Sequence, residues 1–175
     1  MLRRTFCLLP AAALLSACGF QLRRARAMPF TSIYLPAIGG ELGTRIRQGL
    51  QASGVEIVRD IKQAEVRLDI AVAGRDREIL SLSGEGKVRE YEIIQRIRFA
   101  LYNRDGTLRL APVTLEARRD YTYDDTMLLA KQQEEALLWQ DIDADLARRV
   151  LDRLAAATPA DAAPADAAAP ADAPQ

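Results

Sequence analysis

The rhythm of apolar and polar positions changes several times along this chain, and each change marks an element. Ile33, Tyr34 and Leu35 run together ahead of Pro36, so residues 30–36 read as a short strand. Leu42, Ile46 and Leu50 then recur every four residues between Glu41 and Ala52. Gly54 follows them, which predicts a helix with a glycine stop. Val55, Ile57 and Val58 allow a brief extended return. From Val66 to Val72 apolar residues alternate with mostly polar or small ones, the mark of a half-buried strand. After a Gly84-Glu85-Gly86 turn, Tyr91, Ile93, Ile97, Phe99 and Leu101 share one face of a long strand. Glu90, Glu92, Arg96 and Arg98 share the other. Asp105-Gly106 is a hairpin signal, and the strand after it turns Val113, Leu115 and Ala117 inward. Its outward residues, Thr114, Glu116, Arg118 and Asp120, can pair with Arg96 or Arg98 for about 0–1 kcal/mol each. Asp124 or Asp125 caps a last helix from about 126 to 154, where Leu138, Ile142, Leu146, Val150 and Leu154 form an apolar stripe. The order predicts an α+β two-layer sandwich, with two helices on one face of a roughly four-stranded mixed or antiparallel sheet.

Both ends depart from this pattern. Residues 1–17 read as a signal peptide to be removed: Arg3 and Arg4 precede an apolar run from Phe6 to Leu15 that is too short for a mature membrane span. Leu15-Ser16-Ala17-Cys18 resembles the lipobox of bacterial lipoproteins, which makes Cys18 the expected lipidation site. Two or three acyl chains anchor stably where one does not, at about 0.8 kcal/mol per buried CH₂. Gly19, standing where an aspartate would favour inner-membrane retention, points to the outer membrane and its periplasmic side. Residues 18–29 are then a lipidated N-terminus and linker, and 30–155 the domain. Residues 156–175, with their Pro-Ala-Asp repeats, form a tail expected to be disordered.

Composition narrows the chemistry. Lys plus Arg and Asp plus Glu both number 24 among 175 residues, which argues against nucleic acid as a partner. There is no histidine, and the two cysteines, Cys7 and Cys18, lie in the first twenty residues. His-dependent triads, zinc sites and disulfides within the domain are thereby removed. Two acid pairs, Asp124-Asp125 and Glu134-Glu135, are adjacent in sequence and so do not face each other across a site. No catalytic residue, metal or cofactor is implied.

The mature chain opens Cys18-Gly19-Phe20-Gln21-Leu22-Arg23, carries Glu90-Tyr91, and passes through Arg119-Asp120-Tyr121-Thr122-Tyr123-Asp124 into Leu129-Ala130-Lys131-Gln132-Gln133-Glu134-Glu135. In order and spacing these segments resemble the LPS-assembly lipoprotein LptE family over residues 18–155. The resemblance implies a non-enzymatic outer-membrane lipoprotein of the lipopolysaccharide translocon. Such a protein plugs and helps assemble an LptD-type barrel and binds lipopolysaccharide during delivery to the cell surface. It also implies basic ligand contacts near two regions, where this chain offers Lys87, Arg118 and Arg119. Arg23, Arg24 and Arg26 form a second, membrane-proximal basic cluster. Tyr121 and Tyr123 share a strand face, and Trp139, off the helix stripe, is a candidate partner anchor. The alternative is an auxiliary lipoprotein of a phospholipid transport system.

Overall fold

A computed structural model describes residues 26–158. The expected signal peptide, Cys18, Arg23, Arg24 and almost all of the C-terminal tail lie outside the described residues. The order is β1 (Ser32–Tyr34), α1 (Gly40–Ala52), β2 (Glu56–Val58), β3 (Val66–Leu82), β4 (Val88–Asn103), β5 (Leu108–Thr122) and α2 (Leu128–Ala156). Among the described residues the strands form one mixed sheet in the order β2-β1-β3-β4-β5. The short β1 runs parallel to both β2 and β3, while β3, β4 and β5 are successively antiparallel. The sheet therefore has five strands rather than about four, because the return after α1 pairs fully along β1.

One face of the sheet carries both helices. Ile33, Leu68, Ile93, Ile97, Phe99 and Leu101 from the strands meet Ile46 and Leu50 of α1. They also meet Ile142, Leu146, Val150 and Leu154 of α2, all of these side chains being wholly buried or nearly so. The four-residue stripe of α2 thus packs as its spacing requires. Leu138, at the stripe's start, is only half-buried because the helix there passes beyond the thickest part of the core. Gly54 ends α1 in the left-handed region, at φ +77°, where glycine carries no Cβ penalty. The Asp124 side chain accepts from the Thr126 amide at 2.9 Å and caps a 3-10 turn, Asp125–Met127, that feeds α2 two residues later than the pattern predicts.

Two polar devices inside this layer have no apolar signature. Gln95 and Asp143 are both buried and are joined by a 2.8 Å hydrogen bond from Nε2 to Oδ1, linking β4 to α2. Arg109, only 4% exposed, sits at the end of the sheet where β5 begins. Its Nε donates to the Ala157 carbonyl at 3.1 Å, Nη2 donates to the Pro29 carbonyl, and Nη1 reaches Glu65 at 3.4 Å. Glu65 in turn accepts from the Thr31 amide at 2.9 Å. That amide chiefly holds its carboxyl below the usual range, against the opposing effect of burial and with further help from Arg109. Contacts with the domain extend on both sides of 30–155: Arg26 pairs with Asp152, Met28 packs on the core, and Ala157 is buried.

Replacing Arg109 by Met keeps an unbranched stem in the buried site and removes every side-chain donor. The two main-chain carbonyls lose their charged partner, and a loss of about 2–4 kcal/mol is expected in denaturant unfolding. A change below about 0.5 kcal/mol would show that the node is not structural.

Candidate functional site

The residues with chemistry to offer divide between the two faces of the β3–β5 sheet, because successive strand residues alternate. Arg118 lies on the open face. Its Nε donates to Glu116 at 2.5 Å and its Nη1 to Glu92 at 3.3 Å. Arg96 on the neighbouring strand donates to the same Glu116 at 2.6 Å and to Asp76 at 3.1 Å. The Arg118 fork, ahead of opposing desolvation and with Arg96 adding to it, holds the Glu116 carboxyl below its usual value. The anticipated cross-strand pairing is therefore present for Arg96, as part of a ladder from β3 to β5.

Arg119, one residue on, points to the helix face. Its Nε and Nη2 both donate to Asp141 Oδ2 of α2, at 2.8 and 2.7 Å. Lys87 stands in the β3–β4 turn with an exposed ammonium and no described partner. It borders a depression shared with Arg89 but also with Glu85, Asp124 and Asp125. Lys87, Arg118 and Arg119 are thus set on a turn and on two opposite faces. Of the membrane-proximal cluster only Arg26 is described, and its guanidinium pairs with Asp152.

A cation that sequence reasoning left among the paired charges stands apart. Arg98, on the open face of β4, is exposed and has no described hydrogen bond or ion pair. It borders a shallow depression of about 430 Å³ lined mostly by apolar residues, among them Ala71, Ala100, Tyr102, Pro36 and Pro112, and by one acid, Asp69, which is paired with Arg67. Small residues on three adjacent strands make that hollow, and the signal was Ala71 and Ala100 at positions where neighbouring strand residues are long. An unpaired guanidinium beside an apolar floor suits an amphiphile with an anionic group.

The helix face has its own constellation at the start of α2. Glu135 accepts from Tyr121 Oη at 2.6 Å, from Arg77 Nη1 at 3.0 Å and from Trp139 Nε1 at 3.2 Å. Burial works to raise its carboxyl, but the three donors outweigh it and the group is held below its usual range. Burial and then the Glu135 charge push the Tyr121 phenol up to about 12. Tyr91 packs against Tyr121 and, edge-on, against Tyr123, with ring centroids 5.8 and 5.2 Å apart. Trp139 is half-buried, and the Arg75 guanidinium lies 4.2 Å from its ring centroid. The tryptophan is accordingly held by its own chain rather than left as a free anchor. These groups are locked and mutually satisfied, a fastening rather than a reactive site.

A family model described as "LptE: Lipopolysaccharide-assembly" matches residues 26–154, nearly the whole described domain. The chain belongs to this family. Among solved structures it is similar to a lipoprotein B of Nitrosomonas europaea, at 28% identity and a TM-score of 0.70, over 82% of this chain and 94% of that one. It is also similar to the rare lipoprotein B of Shewanella oneidensis, at 29% identity and a TM-score of 0.59, over 72% and 93%. A minor lipoprotein of Acinetobacter baumannii gives 27% and 0.56, over 74% and 92%. No match was found among curated proteins. The family membership favours lipopolysaccharide assembly over the phospholipid-transport alternative.

The Glu135 fastening predicts a pH signature. A carboxyl whose folded value lies below the ordinary 4.5 contributes fully above that value and loses its contribution as pH falls through the folded one. The melting-temperature gap between wild type and Glu135→Gln is therefore expected to be widest near neutrality and to shrink below about pH 4.5. A constant gap would mean that the charge is not what matters. In an alkaline absorbance titration of the folded protein, an ionisation near pH 12 is expected, and it should disappear in Tyr121→Phe.

Proposed function

We propose that this protein is the lipoprotein subunit of a lipopolysaccharide translocon, anchored through Cys18 to the outer membrane and facing the periplasm. It plugs and helps assemble an LptD-type barrel and binds lipopolysaccharide on its way to the surface, without enzymatic chemistry. The observation that carries this reading is the lipopolysaccharide-assembly family match over residues 26–154, a few residues after a lipobox. The fold supports it: a rigid, roughly neutral domain with dense internal ion pairing can sit inside a barrel without a strong field of either sign.

Lipopolysaccharide presents phosphates and carboxylates beside acyl chains, so its contacts need cations next to apolar surface. Lys87, Arg118 and Arg119 remain the proposed basic contacts in the two regions indicated by the family resemblance, and Arg98 joins them from the open face. Their energetic standing differs. Arg118 and Arg119 must give up carboxylate partners to bind an anion, whereas Arg98 and Lys87 give up only water.

Two measurements test this. Fatty-acid labelling should mark wild type and not Cys18→Ala; label retained in the variant would refute the anchor. For the ligand, Arg98→Glu and Lys87→Glu are each expected to weaken lipopolysaccharide binding more than Arg118→Glu at low salt. The differences should narrow as salt rises and screens them. Affinity unchanged when all four are reversed would remove lipopolysaccharide from these surfaces altogether.

A further inference from the structure

Strand β3 breaks the rules that edge strands usually obey. It is 17 residues long, yet β1 pairs only with Val66 and Arg67. From Leu68 to Leu82 it has β4 on one side and, among the described residues, no strand on the other. A row of main-chain donors and acceptors about 45 Å long is left open. Chains that must stay alone blunt such an edge, and β5 at the opposite margin does so. There Ala111 and Pro112 bulge against Ala100, placing a proline on the free side. Between its own bulges β3 keeps a regular stretch, Gly74–Ile79, without proline. Val72, Ile79, Leu80 and Leu82 are each more than half exposed along the same strand, Ile79 at 58%. Neither helix covers them. A long open edge carrying exposed large apolar residues is a surface prepared for pairing.

We propose that the free edge of β3 receives an added strand from the barrel partner. This rests on the barrel reading given under Proposed function. A closed barrel has its own main-chain groups paired all round, so the added strand is an inter-strand loop or periplasmic extension of that protein. Charge decides against a second copy. Arg75 and Arg77 lie on the helix face of β3, Asp76 and Glu78 on the open face. Two-fold pairing of β3 with itself sets residues of one face opposite each other, so arginine meets arginine and acid meets acid. A foreign strand with acids on the helix face and bases on the open face meets the reverse situation. Arg77 and Asp76 are already paired within the chain, with Glu135 and Arg96. The charges open to such a strand are therefore Arg75, which has no described carboxylate partner, and Glu78, which has no described hydrogen bond or ion pair.

The described residues bring neither end of the chain to this edge. Both leave the domain at its other end, where Arg109 holds the carbonyls of Pro29 and Ala157. Residues 159–175 include Pro159, Pro164, Pro170 and Pro174, each without the N–H a ladder needs. The seven residues between an anchored Cys18 and Arg26 span about 25 Å at most, against roughly 40 Å along β3 from Val66 to Ile79.

The test uses the full lipoprotein co-expressed with its cognate barrel protein. A photo-activatable benzophenone amino acid is placed in turn at positions 75, 76, 77 and 78, which point alternately to the two faces. An added strand lies beside all four, so all four are expected to crosslink to one short stretch of the barrel protein, in consecutive order. Crosslinks from alternate positions only would mean docking of a face and would overturn the proposal. So would their absence while the barrel co-purifies, or β3-to-β3 crosslinks between two copies. Independently, Val72→Lys combined with Ile79→Lys is expected to cut barrel recovery at least fivefold, with the melting temperature of the free lipoprotein unchanged. Full recovery would overturn the edge as the contact. Failure of the wild type to recover the barrel at all would sink the barrel reading itself, a result distinct from the loss of the β3 contact alone.

Discussion

The described domain is closed by one buried cation. Arg109 draws together the chain entering β1, the residue after α2 and the carboxylate that precedes β3, three segments far apart in sequence. Hydrophobic packing alone would bring the layers together without fixing where the ends of the layers lie, since apolar contact is non-directional. A guanidinium with five donors in a rigid plane is directional, and burying it is tolerated only while its acceptors are in place. With both chain ends held there, the far half of the sheet, from Gly74 to Leu82 and the turn after it, is free of covalent or packing ties to either terminus. The division of labour in the molecule follows from that asymmetry: one end is fastened, the other presents surface.

The same asymmetry explains how much could be read from the sequence. Where the helices cover one sheet face, as from Val66 to Ile70 and Ile93 to Leu101, burial on that side imposes the period-two signal, and those strands were legible. Beyond Val72, β3 is exposed on both faces and along its edge, so no alternation is selected and its last ten residues carry no strand signature. The three-residue β2 is too short to show a period at all. Gln95, Asp143 and Arg109 occupy core-facing positions, but a polar residue there reveals its purpose only beside its partner, and those partners lie 48 residues away for Gln95–Asp143 and Arg109–Ala157. Candidate charges suffered from the same limit. Strand parity alone separates Arg118 from Arg119, yet only the position of α2 shows that Arg119 is committed to Asp141.

Net charge near zero turns out to be a weak guide to what such a surface can do. The arginines of the β3–β5 sheet are abundant, and most are already paired, with Glu92, Glu116, Asp76, Asp141 or Glu135. What distinguishes one cation from another is the cost of releasing it. An exposed pair contributes little to stability, but an incoming anion must still displace a carboxylate that already satisfies the geometry. Arg98 and Lys87 carry no such penalty, and Arg98 alone stands against an apolar floor. On the proposed reading, ligand recognition follows the few unpaired cations rather than the sum of charges.

The two exposed features of the domain suit different kinds of partner. The Arg98 hollow lies on the open face, is shallow and sets an unpaired cation among alanines, prolines and Tyr102, with the paired Asp69 also on its lining, a shape for part of an amphiphile. The β3 edge is linear, rich in unpaired main-chain groups and lined alternately by opposite charges, a shape for another polypeptide. They sit on the same sheet, with Arg98 registered opposite Ala71 of β3, only one residue before the exposed Val72. A strand added along β3 would therefore border the hollow and extend its floor. In that arrangement the partner completes the ligand-facing surface, and the long bare edge that would be a liability in a protein acting alone becomes the seam along which the two are joined.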